Sequence, residues 1–127
     1  MNIHEYQAKQ LFKAFGISAP QGKNVTSAND AVLATKDIAG DAWVVKAQVH
    51  AGGRGKVGGV KLAKNTDEVK QYAADMLGSR LVTKQTGAEG LPIESVLIEQ
   101  TSPIKREFYL SILVDRASER VMFVSSI

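Results

Sequence analysis

The stretch Trp43-Val44-Val45-Lys46-Ala47-Gln48-Val49-His50-Ala51-Gly52-Gly53-Arg54-Gly55-Lys56-Val57-Gly58-Gly59-Val60-Lys61-Leu62-Ala63 decides how this chain is read. Its first five residues form an aromatic and β-branched run that predicts a buried strand, and Val60 to Ala63 predicts a second one. Between them, five of the ten residues from His50 to Gly59 are glycine, so the backbone can lie flat over a ligand with its N–H groups aimed at anionic oxygens. Arg54 and Lys56 add positive charge at the same place, a combination that favours phosphate. Composition alone gives equal standing to a flexible, solvated loop.

Spacing narrows the kind of phosphate loop. A P-loop requires glycine and serine or threonine where this chain has His50 and Val57 around Gly55-Lys56. Gly53, Gly55 and Gly58 satisfy G-x-G-x-x-G, but a dinucleotide fold needs a helix next, and Val60 to Ala63 reads as strand. With Val60 the pattern also fits a hairpin lid over ATP phosphates, yet a protein kinase places its lysine after that lid and Lys46 precedes it. Lys46 sits in an otherwise apolar strand and needs an anion or an exit to solvent; a nucleotide phosphate and a solvent-facing alternation weigh equally. Glu99, inside Val96-Leu97-Ile98-Glu99-Gln100, poses the same question with opposite sign, since a carboxylate there suits an adenine amino group or a ribose hydroxyl. Glu107 opens the next strand. Taken singly, either glutamate reads more readily as an exposed strand residue than as a ligand contact.

Working outward, Asn2 with Glu5 reads as a capping box opening a helix through Phe15, with Ile3, Tyr6, Leu11, Phe12 and Phe15 broadly on one face and Gly16 as its stop. Gln21-Gly22 reads as a turn. Ser27 with Asp30 starts a second helix ending at Gly40. Asn65 with Glu68 caps a third, whose Val69, Tyr72, Ala73, Met76 and Leu77 recur at helical spacing before Gly78. Strands are predicted at Leu81 to Lys84 and Ser95 to Gln100, and a hairpin from Glu107 to Val114 and Arg120 to Ser126. The expected class is α+β, a mainly antiparallel sheet with helices packed on it. The last residues are still strand-like, so a longer protein is expected.

Composition sets the limits. With 127 residues, 44% of them hydrophobic, the chain can build one genuine core. No apolar run approaches the roughly 18 residues of a membrane span. The absence of cysteine excludes disulfides, thiolate metal sites and a Cys nucleophile. The N-terminus has neither a signal-peptide core nor a transit-peptide character, which points to the cytoplasm. Sixteen cations against thirteen acids is a modest excess spread along the chain, with no nucleic-acid motif, so no nucleic acid is expected as partner and a small polyanion explains the charge as well. His4 reads as a helix-start surface residue and His50 as a loop-anchoring hydrogen-bond partner. Neither belongs to a nucleophile triad, and no catalytic residue or metal ligand is assigned.

Four stretches resemble a known family. Met1-Asn2-Ile3-His4-Glu5-Tyr6-Gln7-Ala8-Lys9, Val44 to Lys56 and Gly78-Ser79-Arg80-Leu81-Val82-Thr83-Lys84-Gln85-Thr86, together with Lys105-Arg106-Glu107-Phe108-Tyr109-Leu110, are similar to the opening of the ATP-grasp β subunits of succinate–CoA ligase. The resemblance implies a Mg-dependent interconversion of succinate, CoA and ATP with succinyl-CoA, ADP and phosphate, through a phosphohistidine on a partner α subunit. It implies that Lys46 holds nucleotide phosphate under a lid of Gly53, Arg54 and Gly55. Glu99 would meet the adenine amino group, Ser102 would offer its backbone to the base, and Glu107 would bind ribose hydroxyls. Ligands for Mg2+ and the succinate and CoA loops are expected beyond residue 127. Implied boundaries are an N-terminal helix (1–19) belonging with a larger lobe, a small lobe with the lid (20–103), and the start of the larger lobe (104–127). A malate–CoA ligase or an ATP-citrate lyase subunit is the alternative within the family. A basic nucleic-acid-binding module and a pure interaction domain are the alternatives outside it.

Overall fold

Four strands make the central sheet of the computed structural model, which describes residues 2–127: β1 (Gly22–Val25), β2 (Trp43–Ala47), β3 (Val60–Ala63) and β6 (Val96–Gln100). They lie in the order β1-β6-β2-β3, and every pairing is antiparallel. The continuous apolar run of β6 is explained by its interior position, with β1 on one side, β2 on the other and both faces covered. In β2 the pleat alternates, so Trp43, Val45 and Ala47 are buried while Val44 and Lys46 are half-buried on the opposite face.

Register sorts the side chains. Val45 stands opposite Ile98 and Ala47 opposite Val96, and these residues form one apolar face. Helices α2 (Ala28–Thr35) and α3 (Thr66–Met76) cover that face with Ala31, Ala34, Val69, Ala73 and Met76. Ile98, Val45, Val69 and Val96 are fully buried, each contributing about 1.5–3 kcal/mol through removal from water. Val44 stands opposite Glu99 and Lys46 opposite Leu97, so the lysine and the glutamate share the other face, where helix α1 (Glu5–Ala14) lies.

The caps of the second and third helices form as expected: Ser27 Oγ accepts from Asp30 N–H at 3.0 Å and Asn65 Oδ1 from Glu68 N–H at 2.8 Å. Gly16 and Gly78 end their helices with positive φ. The first cap differs from the expectation. His4, not Asn2, is the N-cap, and Gln7 Oε1 accepts its N–H at 2.8 Å; this frees Glu5 to turn toward the sheet. Helix α2 stops at Thr35 rather than Gly40. Gly22 to Val25, expected to begin in a turn, is a strand, because β6 supplies the hydrogen-bonding edge that a polar run does not advertise. Leu81 to Lys84 shrinks to the two-residue β4 (Arg80–Leu81), paired with β5 (Leu91–Pro92). The last hairpin, β7 (Tyr109–Asp115) with β8 (Arg120–Ser126), stands outside the central sheet and exposes Leu110, Ile112, Val121 and Phe123. Its first strand starts two residues after Glu107, which lies outside it. Met1 lies outside the described residues.

Candidate functional site

The polar face of the sheet holds a five-membered ion-pair cluster. Lys46 Nζ donates to Glu99 Oε1 at 2.5 Å and to Glu5 Oε1 at 3.0 Å. Arg54 donates through one terminal nitrogen to Glu5 Oε2 at 2.6 Å, and through the other to the carbonyl of Ala47 at 2.7 Å. Lys9 pairs with Glu99, and with Glu5 at 3.1 Å. Glu99 is the deepest member, its side chain 5% exposed, whereas Lys46, Arg54, Glu5 and Lys9 are 18–20% exposed.

The lysine in the apolar strand therefore has its anion within the chain. Glu5 and Lys9 were not among the expected site residues, although their i,i+4 spacing at the start of a helix was the available signal; Glu5 had been read as half of a cap. The helix reaches the sheet through a further polar contact, Tyr6 N–H to Gln48 Oε1 at 3.1 Å. His4 stacks on His50 with ring centroids 3.9 Å apart, so His4 is not a plain surface residue, and a stack rather than a hydrogen bond is what the structure gives His50.

Beside the cluster, the glycine-rich segment folds as a single tight turn, Arg54–Val57, entered through Gly53 at φ +76° and left through Gly58 at φ +80°. A left-handed backbone of this kind disfavours any side chain at Gly53. Around Gly53 and Gly55 there is open space where a Cβ would stand, so their backbones are accessible. Gln85 Oε1 anchors the segment by accepting Gly52 N–H at 2.6 Å. Lys46, Arg54 and Glu99 are thus brought together, with Gly53 and Gly55 flanking Arg54. Ser102 and Glu107 are exposed, and neither makes a side-chain hydrogen bond among the described residues.

Charge states follow from the packing. Burial pushes the Glu5 carboxyl up, but the Arg54 hydrogen bond and the Lys46 charge outweigh it and bring the group from its ordinary 4.5 down to about 2. Burial lowers the Lys46 pKa, yet the Glu99 hydrogen bond and the Glu5 charge outweigh burial and raise it. Burial and the neighbouring His50 lower the pKa of His4 from 6.5, against a weaker pull from Glu94.

These directions make the docking of α1 acid-labile. A depressed pKa in the folded state means stability present above the unfolded pKa and lost below it, so the His4 contribution fades as pH falls below 6.5 and the Glu5 contribution between 4.5 and about 2. The expected result is loss of the Tyr6 amide protection at acidic pH while amides of β6 stay protected, read by hydrogen exchange. Simultaneous loss of both sets at one pH would contradict it.

The model of the ATP-grasp domain family matches residues 2–127. The chain is 56% identical over 126 residues to a protein of Methylobacillus flagellatus named succinate–CoA ligase [ADP-forming] subunit beta, covering 99% of this chain and 33% of that one. Proteins of the same name from Thiobacillus denitrificans and Tolumonas auensis are 55% and 54% identical over the same share of this chain. The chain spans about a third of the length of these curated relatives, with 33%, 33% and 32% covered. Among solved structures, a dinucleotide-forming acetyl-coenzyme A synthetase 1 from Ca. Korarchaeum cryptofilum, in complex with coenzyme A, Ca-AMPCP and HgCl+, superimposes with a TM-score of 0.75 at 23% identity. That match covers 98% of this chain and 53% of the synthetase chain, and at this identity it speaks for the fold.

Proposed function

The chain belongs to the ATP-grasp domain family, and from that premise we propose that it is the nucleotide-binding segment of the β subunit of an ADP-forming succinate–CoA ligase. The whole enzyme would interconvert succinate, CoA and ATP with succinyl-CoA, ADP and phosphate. The observation that carries this reading is the convergence of Lys46, Arg54 and Glu99 beside the accessible backbone of Gly53 and Gly55. Two cations next to free N–H donors make a phosphate site, worth most when all meet the same oxygens.

Lys46 and Arg54 would take the phosphates, with Gly53 and Gly55 closing over them. Glu99 would accept the adenine amino group; a carboxylate offers about four lone-pair sites, so Lys9 and Lys46 leave room for a third donor. Ser102 through its backbone and Glu107 through its carboxylate would reach base and ribose, for which their exposure and freedom from other partners is the support. Mg2+ does not fit the described residues: no group of three His, Asp or Glu side chains is placed to hold a metal, and Glu5 and Glu99 are committed to cations.

In this reading residues 20–103 form the small lobe, while residues 1–19 and 104–127 belong with a larger one. Support comes from α1, which buries no residue, and from the exposed apolar faces of the last hairpin. The partner would be an α subunit carrying the phosphohistidine, and the place of work the cytoplasm; no helix among the described residues is long and apolar enough to cross a membrane.

The test is an ATP titration followed by NMR at Gly53 to Gly59, repeated with Lys46→Ala. Shifts of the lid amides, and a loss of about 2 kcal/mol in affinity on substitution, are expected from the charge-assisted hydrogen bonds removed. Affinity indifferent to Lys46 would overturn the assignment.

A further inference from the structure

The cations proposed to receive phosphate are not free. Glu5 occupies both at once, one carboxylate oxygen on Lys46 and the other on Arg54, with the first oxygen also facing Lys9. A bidentate carboxylate bridging an ammonium and a guanidinium uses the same donors that a phosphoryl group would use. A polyphosphate cannot share them with it, because the two anions would stand in contact.

The manner in which α1 is held makes Glu5 removable. The helix has no buried residue, and its large apolar side chains Leu11, Phe12 and Phe15 are about half exposed or more. What fastens it to the sheet face is polar: the Glu5 pairs, the Lys9 pair with Glu99, the Tyr6 N–H to Gln48 bond and the stack of His4 on His50. Contacts of this kind exchange for others at small net cost, unlike apolar burial, which nothing in solution replaces. By contrast, the Lys46–Glu99 pair lies within the sheet and can persist when the helix leaves.

We propose that α1 is an ionic latch on the nucleotide site: Glu5 holds Lys46 and Arg54 in the empty state, and the phosphates of a nucleoside triphosphate displace it and undock the helix. The inference rests on the nucleotide reading and adds to it an occupant of the empty site and a movement on binding. It also assigns Glu5 a role opposite to that of a positioning residue, for a positioning carboxylate strengthens binding and a competing one weakens it.

The discriminating experiment is a calorimetric titration of MgATP into the 127-residue chain as wild type, Glu5→Gln and Lys46→Ala. Glutamine keeps the shape and removes the charge, so the latch predicts roughly tenfold tighter binding for Glu5→Gln. In the wild-type chain, saturating MgATP should also shift the Tyr6 amide and remove its protection against hydrogen exchange, a readout that needs no variant. Binding that requires Lys46 but is equal or weaker in Glu5→Gln, with Tyr6 unchanged, overturns the latch alone. Binding that does not require Lys46 overturns the nucleotide site and the latch with it.

Discussion

Ile98→Ala is expected to lower the folding stability by about 4 kcal/mol, seen as a fall in urea midpoint at constant slope. Ile98 has no exposed surface and sits in the middle of β6, hydrogen-bonded on both edges, with Val45 across the pair on one side and Lys23 on the other. Strands locked on both edges cannot close in on a void, so the transfer loss and the cavity loss both count. Ile98→Val, which removes one methylene, should cost about 1 kcal/mol. Equal small losses for the two would mean that the face shared by β2, β6, α2 and α3 is not the packed centre of the molecule.

Glu99→Ala should follow at about 3 kcal/mol. The Glu99 carboxylate lies between two ammonium groups, Lys9 and Lys46, with its side chain 5% exposed. Deleting one partner of a buried pair costs about 3–5 kcal/mol because the remaining charge is stranded, and the lower end applies here since both lysines keep Glu5. Glu5→Gln should cost less, because its partners retain Glu99 or the Ala47 carbonyl and water reaching the site screens part of what the charge contributes. Urea denaturation of the two variants measures the difference. A Glu5→Gln loss as large as that of Glu99→Ala would show that α1 is a fixed part of the fold and would remove the energetic basis of the latch.

Much of the fold was legible from local chemistry. Trp43 to Ala47 and Val96 to Gln100 carry strand residues in runs that have few other uses, and Ser27 and Asn65 announce their helices three residues ahead. Where local chemistry was weak, the reading failed. Gly22-Lys23-Asn24-Val25 has one apolar residue and becomes a strand because β6 offers it a partner. Three residues beyond Leu81 lacked such a partner and did not extend β4. At the first helix the cap read from Asn2 and Glu5 gave way to His4 with Gln7, and Glu5 binds Lys46 and Arg54 instead.

The sequence by itself determined most of the elements, the antiparallel α+β class, the glycine-rich turn and a lysine that needed either an anion or an exit to solvent. These are properties of short segments, set by propensity, capping and the cost of desolvating a charge. Which anion answers Lys46 was decided only by tertiary structure. The register of β2 against β6 puts Glu99 on the same face, and the docking of α1 brings Glu5 across from 41 residues away in the chain. No local pattern encodes that meeting, because it depends on which side of the sheet the apolar residues of α2 and α3 had already claimed.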